Sequence, residues 1–199
     1  MSVQAWLVDF DGTLYRALWV RLAMAAELGL TGLHVVRTLR HFREEQERIR
    51  AELRDEVPCP YRLQLERTAK ALEQEQEHVE RCVTEWMIER PGKWIRLFRR
   101  AALLEEIAAF KQQGGRTALV SDYPATRKLD ALGHSALFDT VVASGELDGP
   151  RRLKPHPDGF LSAARRLGVS PEHCLVIGDR EDADGLAATA AGMQFRWIR

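Results

Sequence analysis

Hydrophobic positions along this chain follow two different periods. Short apolar runs with the length of buried β-strands recur at residues 3–8, 117–120, 137–142, 174–177 and 194–198. Helical patterns that each end at a glycine occupy residues 101–113, 125–132, 157–167 and 182–191. Strands that alternate with helices predict an α/β fold with a parallel sheet that is covered on both faces.

The segment between the first two apolar runs is helical throughout. Glycine, proline or polar residues interrupt its pattern at residues 29–32, 57–60, 73–77 and 91–92. About four helices are therefore expected here, inserted after the first strand. We predict a core domain of residues 1–15 and 92–199 and a helical domain of residues 16–91. Residues 43–48 mix charges of both signs at i,i+4 spacing, which is typical of a solvated helix face.

Composition narrows the class of protein. Lys and Arg (29) balance Asp and Glu (29), so no overall field favours nucleic acid or an anionic membrane. The three cysteines are far apart and form no CxxC pair, which indicates neither a disulfide framework nor a zinc site. No apolar segment approaches the roughly 18 residues of a membrane span. We expect a soluble, cytoplasmic protein with no nucleic-acid or membrane partner.

Polar side chains follow four of the predicted strands at the point where each strand ends. They are Asp9 and Asp11, Ser121 and Asp122, Lys154, and Asp179. In an open parallel sheet, ligands bind outside the carboxyl ends of the strands. Each of these positions alone could be an ordinary surface loop, but their ordered recurrence predicts a single site.

Four segments in this order resemble the motifs of the haloacid dehalogenase (HAD) superfamily along the whole chain. The segments are DFDGTL (9–14), SD (121–122), KP (154–155) and GDREDAD (178–184). The resemblance implies a Rossmann-like core with a parallel sheet of strand order 5-4-1-2-3 and a helical cap of the C1 type between the first two motifs. It also implies Mg²⁺ and phosphoryl transfer through an aspartyl-phosphate. Phosphoglycolate phosphatase-like members are the nearest precedent for this size and cap.

The two carboxylates of the first motif can divide the chemistry of phosphoryl transfer between them. Asp9 is a competent nucleophile toward phosphorus, and an aspartyl-phosphate splits one difficult displacement into two easier ones. Gly12 is expected to turn the backbone directly after Asp11, so that both side chains can serve one site. Asp11 is expected to protonate the leaving oxygen and later to accept a proton from water.

Hydrogen-bond donors and positive charge are expected to hold the phosphoryl group. Ser121 can donate its hydroxyl to the phosphoryl oxygens, and Lys154 can offset the repulsion between them and Asp9. The predicted catalytic residues are Asp9, Asp11, Ser121 and Lys154. The predicted phosphate-binding residues are Asp9, Asp11, Gly12, Ser121, Asp122 and Lys154.

Negative groups that converge on one point require a cation. Mg²⁺ suits oxygen ligands and keeps several waters. The predicted ligands are the carboxylates of Asp9 and Asp179 and the backbone carbonyl of Asp11, with Asp184 or Asp182 holding a metal-bound water. For Asp182, a place in the first turn of a helix, favoured by the helix dipole, is the alternative.

The acid at position 11 separates reaction classes within the family. Dehalogenases resemble this chain but lack such an acid, because halide leaves without protonation. We therefore expect Mg²⁺-dependent hydrolysis of a small phosphorylated metabolite. A phosphomutase and a catalytically silent binding or regulatory protein are the alternatives. Specificity is expected in the helical segment, where the candidate residues are Arg16, Trp19, Arg37, Arg40 and Arg62.

Overall fold

The central sheet is built from five parallel strands. In the computed structural model, which describes residues 2–52 and 55–199, their order across the sheet is β3-β2-β1-β4-β5. The strands are β1 Ala5–Asp9, β2 Arg116–Ser121, β3 Thr140–Ala143, β4 Cys174–Gly178 and β5 Gln194–Trp197. The predicted order, 5-4-1-2-3, is the same order counted from the other edge. The prediction of a parallel α/β fold is therefore confirmed.

The helices fall before, between and after these strands. Within the described residues they are α1 Ala17–Thr31, α2 Val36–Glu52, α3 Pro60–Leu72, α4 Gln76–Val83, α5 Gly92–Leu97, α6 Ala101–Gln112, α7 Thr126–Leu132, α8 Asp158–Leu167 and α9 Leu186–Ala190. None of these helices is both long and apolar enough to cross a membrane.

Both faces of the sheet are covered. Val8 of β1 packs in an apolar cluster with side chains of α6 and α7, whereas its neighbour Leu7 packs in a second cluster with side chains of α8 and α9. Successive strand residues point to opposite faces, and here both faces are buried. For this reason the strands appear in the sequence as continuous apolar runs rather than as alternating patterns.

Helices α1 to α4 lie between β1 and β2 and enclose a third apolar cluster. Leu39 and Phe42 of α2 pack there with Leu65 of α3 and Val79 of α4. A π-helical turn, Thr84–Glu89, follows α4. The helical segment therefore has a core of its own. The predicted division into a core domain (1–15 and 92–199) and a helical domain (16–91) stays a prediction. Residues 1, 53 and 54 of these domains lie outside the described residues.

The chain enters and leaves the helical segment side by side. Tyr15 and Arg99 form an isolated antiparallel bridge. Next to it, the N–H of Arg16 donates to the carbonyl of Phe98 at 2.9 Å. These bonds fasten the two connecting segments to each other directly beyond the end of β1.

Two predicted elements differ from the structure. The run predicted as a strand from residue 137 begins with a 3₁₀ turn, Ser135–Leu137, and its ladder with β2 starts only at Thr140. The N–H of Thr117 instead bonds the side chain of Asp139 at 2.8 Å. The helix predicted for residues 182–191 divides into a π-helical turn, Glu181–Gly185, and the short helix α9, because three successive N–H groups share the carbonyl of Arg180.

Candidate active site

Gly12 turns the chain directly after β1. Its φ of +95° lies in the left-handed region that favours glycine. A Cβ at this position would also lie 2.0 Å from Oδ2 of Asp179, so a larger residue would collide with that carboxylate. Asp9 and Asp11, which precede this turn, both line the same cavity.

Asp9 and Lys154 form a buried ion pair. Oδ1 of Asp9 lies 2.5 Å from Nζ of Lys154, and its Oδ2 accepts a hydrogen bond from the Thr13 hydroxyl at 2.9 Å. The same Nζ lies 2.8 Å from Oδ1 of Asp184. Burial lowers the pKa of Lys154, but the carboxylates of Asp184 and Asp9 outweigh burial and hold that pKa above its ordinary value. Lys154 therefore stays charged, and both oxygens of Asp9 are held in place.

Three carboxylates crowd together beside this lysine. One oxygen each from Asp9, Asp179 and Asp184 lie within 4.8 Å of one another. Burial raises the pKa of Asp9 to about 8; Lys154 opposes the shift, and the charges of Asp184 and Asp179 add to it. Burial and the charge of Asp184 also raise the pKa of Asp179. One lysine does not neutralise three carboxylates. The hard oxygen donors of these carboxylates fit a divalent cation such as Mg²⁺.

The loop after β4 separates the two aspartates that the sequence left as alternatives. Asp184 is buried, and its Oδ2 accepts a hydrogen bond from the N–H of Arg180 at 3.2 Å. Gly178 makes room for it, because a Cβ at that position would lie 2.4 Å from the same oxygen. Asp182 is exposed and pairs with the guanidinium of Arg180 at 2.7 Å. Asp184 therefore belongs to the acidic cluster, and Asp182 does not.

The carboxylate of Asp11 has partners that the sequence analysis missed. Nζ of Lys128 in α7 lies 2.8 and 2.6 Å from its two oxygens, and the Tyr15 hydroxyl donates to Oδ1 at 2.7 Å. Burial raises the pKa of Asp11, but Lys128 and Tyr15 outweigh burial and hold that pKa below its usual value. The available signal was the place of Lys128 on the apolar face of a predicted helix, between Ala125 and Leu132.

The loop after β2 carries Ser121 and Asp122. Ser121 is buried, and its oxygen accepts a hydrogen bond from the N–H of Tyr123 at 3.1 Å, which leaves its hydroxyl proton free to donate. Oδ1 of Asp122 accepts a hydrogen bond from the N–H of Lys154, and its Oδ2 pairs with Arg50 of α2 at 2.7 Å. A carboxylate repels phosphate. Any phosphate contact of Asp122 would therefore be made by its backbone and not by its side chain.

A cavity of about 720 Å³ lies between the helical segment and the carboxyl ends of the strands. It brings together all the predicted site residues: Asp9, Asp11, Gly12, Ser121, Asp122, Lys154, Asp179 and Asp184. Of the five specificity candidates in the helical segment, Arg40 lines the cavity, whereas Arg16, Trp19, Arg37 and Arg62 are not part of its wall. Arg50 and Gln46 of α2 do line it, although neither was among the predicted site or specificity residues.

Comparison with known proteins identifies the family. The sequence matches the haloacid dehalogenase-like hydrolase family over residues 3–192, and the chain belongs to this family. The predicted membership is therefore confirmed.

Three similar proteins illustrate the range of the family. Glyceraldehyde 3-phosphate phosphatase from Methanopyrus kandleri is 47% identical over 66 residues, which is 33% of this chain and 27% of that protein. Phosphoglycolate phosphatase from Escherichia coli is 33% identical over 91 residues, or 44% of this chain and 34% of that protein. The chain thus spans about a third of the length of these curated relatives. The structure of L-2-haloacid dehalogenase from Xanthobacter autotrophicus superposes with a TM-score of 0.68 at 18% identity, covering 98% of this chain and 77% of that one, which establishes a shared fold.

Proposed function

We propose that the protein is a Mg²⁺-dependent phosphatase that hydrolyses a small phosphorylated metabolite through an aspartyl-phosphate on Asp9. The observation that carries the proposal is the pairing of two carboxylates with two lysines in one cavity. Asp9 is held by Lys154, and Asp11 is held by Lys128. Curated relatives that match part of the chain carry the names of phosphatases of small phosphate esters, which agrees with this reaction.

The first half-reaction joins the phosphoryl group to the enzyme. A carboxylate oxygen of Asp9 attacks phosphorus, and the bond between phosphorus and the leaving oxygen breaks. Asp11 gives a proton to that oxygen, so the alcohol leaves as a neutral molecule. An incoming phosphoryl group places negative charge beside Asp11, which favours the protonated carboxyl that this step needs. Ser121 donates its hydroxyl to a phosphoryl oxygen, and Lys154 lowers the repulsion between Asp9 and the substrate.

The second half-reaction releases the phosphoryl group. Asp11 accepts a proton from a water molecule as the water oxygen attacks phosphorus. The bond between phosphorus and Asp9 breaks, and inorganic phosphate leaves. Because the proton that Asp11 gave to the alcohol returns to it from water, the enzyme ends the cycle unchanged.

The acidic cluster is where the cation belongs in this scheme. The residues that would hold Mg²⁺ are Asp9 and Asp179 through their carboxylates, Asp11 through its backbone carbonyl, and Asp184 through a water. Bound Mg²⁺ would supply the positive charge that offsets repulsion between the carboxylates and the phosphoryl oxygens. Lys154 is shared between Asp9 and Asp184, so it orients both carboxylates and offsets part of the repulsion between them.

Phosphate release from a panel of phosphorylated metabolites and a generic aryl phosphate, with Mg²⁺ present, tests the proposal. Asp9→Asn should lower the rate at least about a hundredfold, because an amide of the same shape is neither nucleophilic nor anionic. Asp182→Asn is the matched control, since Asp182 lies in the neighbouring loop but outside the acidic cluster. Circular dichroism checks that both variants are folded.

The outcome also separates the alternatives. A phosphatase releases phosphate from wild-type protein without any added bisphosphate. A mutase would need a bisphosphate and would move the phosphoryl group within the substrate, and a silent protein would release no phosphate from any ester. Asp9→Asn with a rate above about a hundredth of the wild-type rate would rule out Asp9 as the nucleophile.

A further inference from the structure

The cavity continues far beyond the acidic cluster, as a slot between α1 and α2. The α2 residues that line it, from Val36 to Arg50, fall at helical spacing along one face. The fourteen steps of about 1.5 Å from Val36 to Arg50 correspond to a wall of about 21 Å. The α1 wall runs from Ala17 to Leu28, which corresponds to about 17 Å. The two helices are joined at the far end of the slot by the 3₁₀ turn Leu33–Val35.

The end of the slot that meets the core is polar. Arg50 pairs with Asp122, and Oε1 of Gln46 accepts a hydrogen bond from the Tyr123 hydroxyl, so the C-terminal half of α2 is anchored beside the phosphoryl site. Nε2 of Gln46 and Nε of Arg50 are buried and find no hydrogen-bond partner within residues 2–52 and 55–199. Both residues line the slot and lie one helical turn apart. Buried donors of this kind are costly unless a ligand oxygen satisfies them.

The far end of the slot is apolar. Its walls include Met24 and Leu28 of α1, Val36 of α2, and Trp86 and Met87 of the π-helical turn. Charged side chains line the stretch between this end and Arg50, namely Arg21 of α1 and Arg40, Arg43, Glu44 and Glu47 of α2. Trp86 is buried in the third apolar cluster, and Met24, Leu28 and Met87 pack against that cluster. A sugar phosphate, with a hydroxyl on nearly every carbon, would bring polar groups here that such walls do not satisfy.

We propose that the preferred substrates are phosphate monoesters of alcohols with an elongated apolar body, alkyl or aryl, which fills the slot between α1 and α2. The ester oxygens accept hydrogen bonds from Gln46 and Arg50 at the polar end. The hydrocarbon body extends toward Leu28 and Val36. This inference rests on the proposed phosphatase activity, because it names the substrate class of that same site.

A homologous series measures the slot directly. With full-length protein and Mg²⁺, kcat/KM for n-alkyl phosphates from ethyl to octyl should rise about fourfold for each added methylene, the ratio that corresponds to ~0.8 kcal/mol per buried CH₂. The rise should end when the chain reaches the end of the slot. Phenyl and naphthyl phosphates form a parallel series, and the steeper series identifies the body as alkyl or aryl. Phosphoglycolate and glycerol phosphate are the polar comparators.

Variants locate the effect. Leu28→Gln should flatten the series, so that the ratio of kcat/KM for octyl phosphate to that for ethyl phosphate falls at least tenfold. Leu22→Gln is the matched control, because Leu22 is an exposed leucine of the same helix that is not part of the cavity wall. Should Leu28→Gln fail to fold, Val36→Gln tests the same wall, with the exposed Leu33→Gln as its control.

Calorimetric titration with ethyl- and octylphosphonate adds a readout that needs no turnover. Tighter binding of octylphosphonate that Leu28→Gln removes supports the slot, even if no ester is hydrolysed and the phosphatase proposal fails. Phosphate release that is equal for ethyl and octyl phosphates, or at least tenfold faster for glycerol phosphate than for every apolar ester, would overturn the inference and leave the phosphatase activity standing.

Discussion

The guanidinium of Arg50 lies 2.7 Å from the carboxylate of Asp122, and this pair joins helix α2 to the loop that follows β2. The two side chains are only 12% and 8% exposed. Asp122 also accepts the backbone N–H of Lys154, so one carboxylate connects the helical segment to two loops of the active site. The position of α2 over the cavity therefore depends on a buried charge pair.

Removal of Arg50 should be costly because it leaves Asp122 buried without its counter-charge. We expect Arg50→Met to lower the free energy of unfolding by about 3 kcal/mol. The double variant Arg50→Met with Asp122→Asn should be less destabilised than the sum of the two single changes, because the unpaired charge is gone. Urea denaturation measures all three variants.

Arg40→Met provides the control on the same helix. Arg40 pairs with Glu44 at 2.8 Å, but its side chain is 77% exposed, so its loss should change stability by less than about 1 kcal/mol. An equal loss of stability in Arg40→Met and Arg50→Met would show that the pair of Arg50 with Asp122 stabilises the fold no more than an exposed ion pair does.

The parts of this site that follow strands could be predicted from the sequence. Asp9, Ser121 and Asp179 come directly from the ends of β1, β2 and β4, and parallel strands bring their carboxyl ends to one edge. A strand buried on both faces appears in the sequence as a continuous apolar run, which is why the fold class could be predicted. The strand order was predicted from the family resemblance. The start of β3 could not, because a side chain, Asp139, takes the place of a backbone partner.

The parts that come from helices could not be placed. Lys128 and Arg50 reach the cavity only because α7 and α2 pack where they do, and a periodic pattern does not fix that packing. Residues 43–48 were interpreted as a solvated face, and this was wrong for Glu45 and Gln46, which are both buried. Mixed charges in a sequence do not distinguish a helix face toward water from a helix face toward a polar cavity.

Substitution of Lys128 should lower the rate most for substrates whose leaving group needs a proton. Lys128→Met frees the carboxylate of Asp11 from its fixed position, so the rate with an alkyl phosphate should fall at least tenfold. The rate with 4-nitrophenyl phosphate should fall much less, because nitrophenolate leaves without protonation. The ratio of kcat values for the two esters is the measurement.

Three further variants test whether this result is specific to the pair of Lys128 with Asp11. Asp11→Asn should change the ratio in the same direction and by more, and Lys128→Arg should restore part of the activity. Lys111→Met removes another lysine that pairs with an aspartate, Asp139, and should leave the ratio unchanged. An equal fall for both esters in Lys128→Met would indicate a general loss of structure rather than a displaced acid.

Asp139 should make stability depend on pH. Partial burial raises the pKa of Asp139, but hydrogen bonds from Lys111 and from the Thr117 N–H outweigh it and hold that pKa below its usual value. A lowered pKa in the folded state means that the stabilisation is present above the unfolded pKa of about 4 and is lost as the pH falls through the folded value. Asp139→Asn should therefore cost about 1 kcal/mol at pH 7 and progressively less as the pH approaches 2.

Urea midpoints between pH 7 and pH 2 test this dependence. The exposed change Glu172→Gln should stay within about 0.5 kcal/mol of wild type at pH 7. A destabilisation by Asp139→Asn that is constant over the whole pH range would mean that the charge of Asp139 is not the cause.

The acidic cluster predicts a response to Mg²⁺ that does not depend on turnover. Asp9, Asp179 and Asp184 repel one another in the metal-free protein, and a ligand that binds only the folded state stabilises it. We expect millimolar Mg²⁺ to raise the melting temperature of wild-type protein, and Asp179→Asn to abolish most of that rise. Without metal, Asp179→Asn should be at least as stable as wild type, because one of the three repelling charges is gone. Asp182→Asn, outside the cluster, should keep the full response. A Mg²⁺-induced rise that is the same in wild type and Asp179→Asn would place the cation elsewhere and would remove the metal from the proposed site.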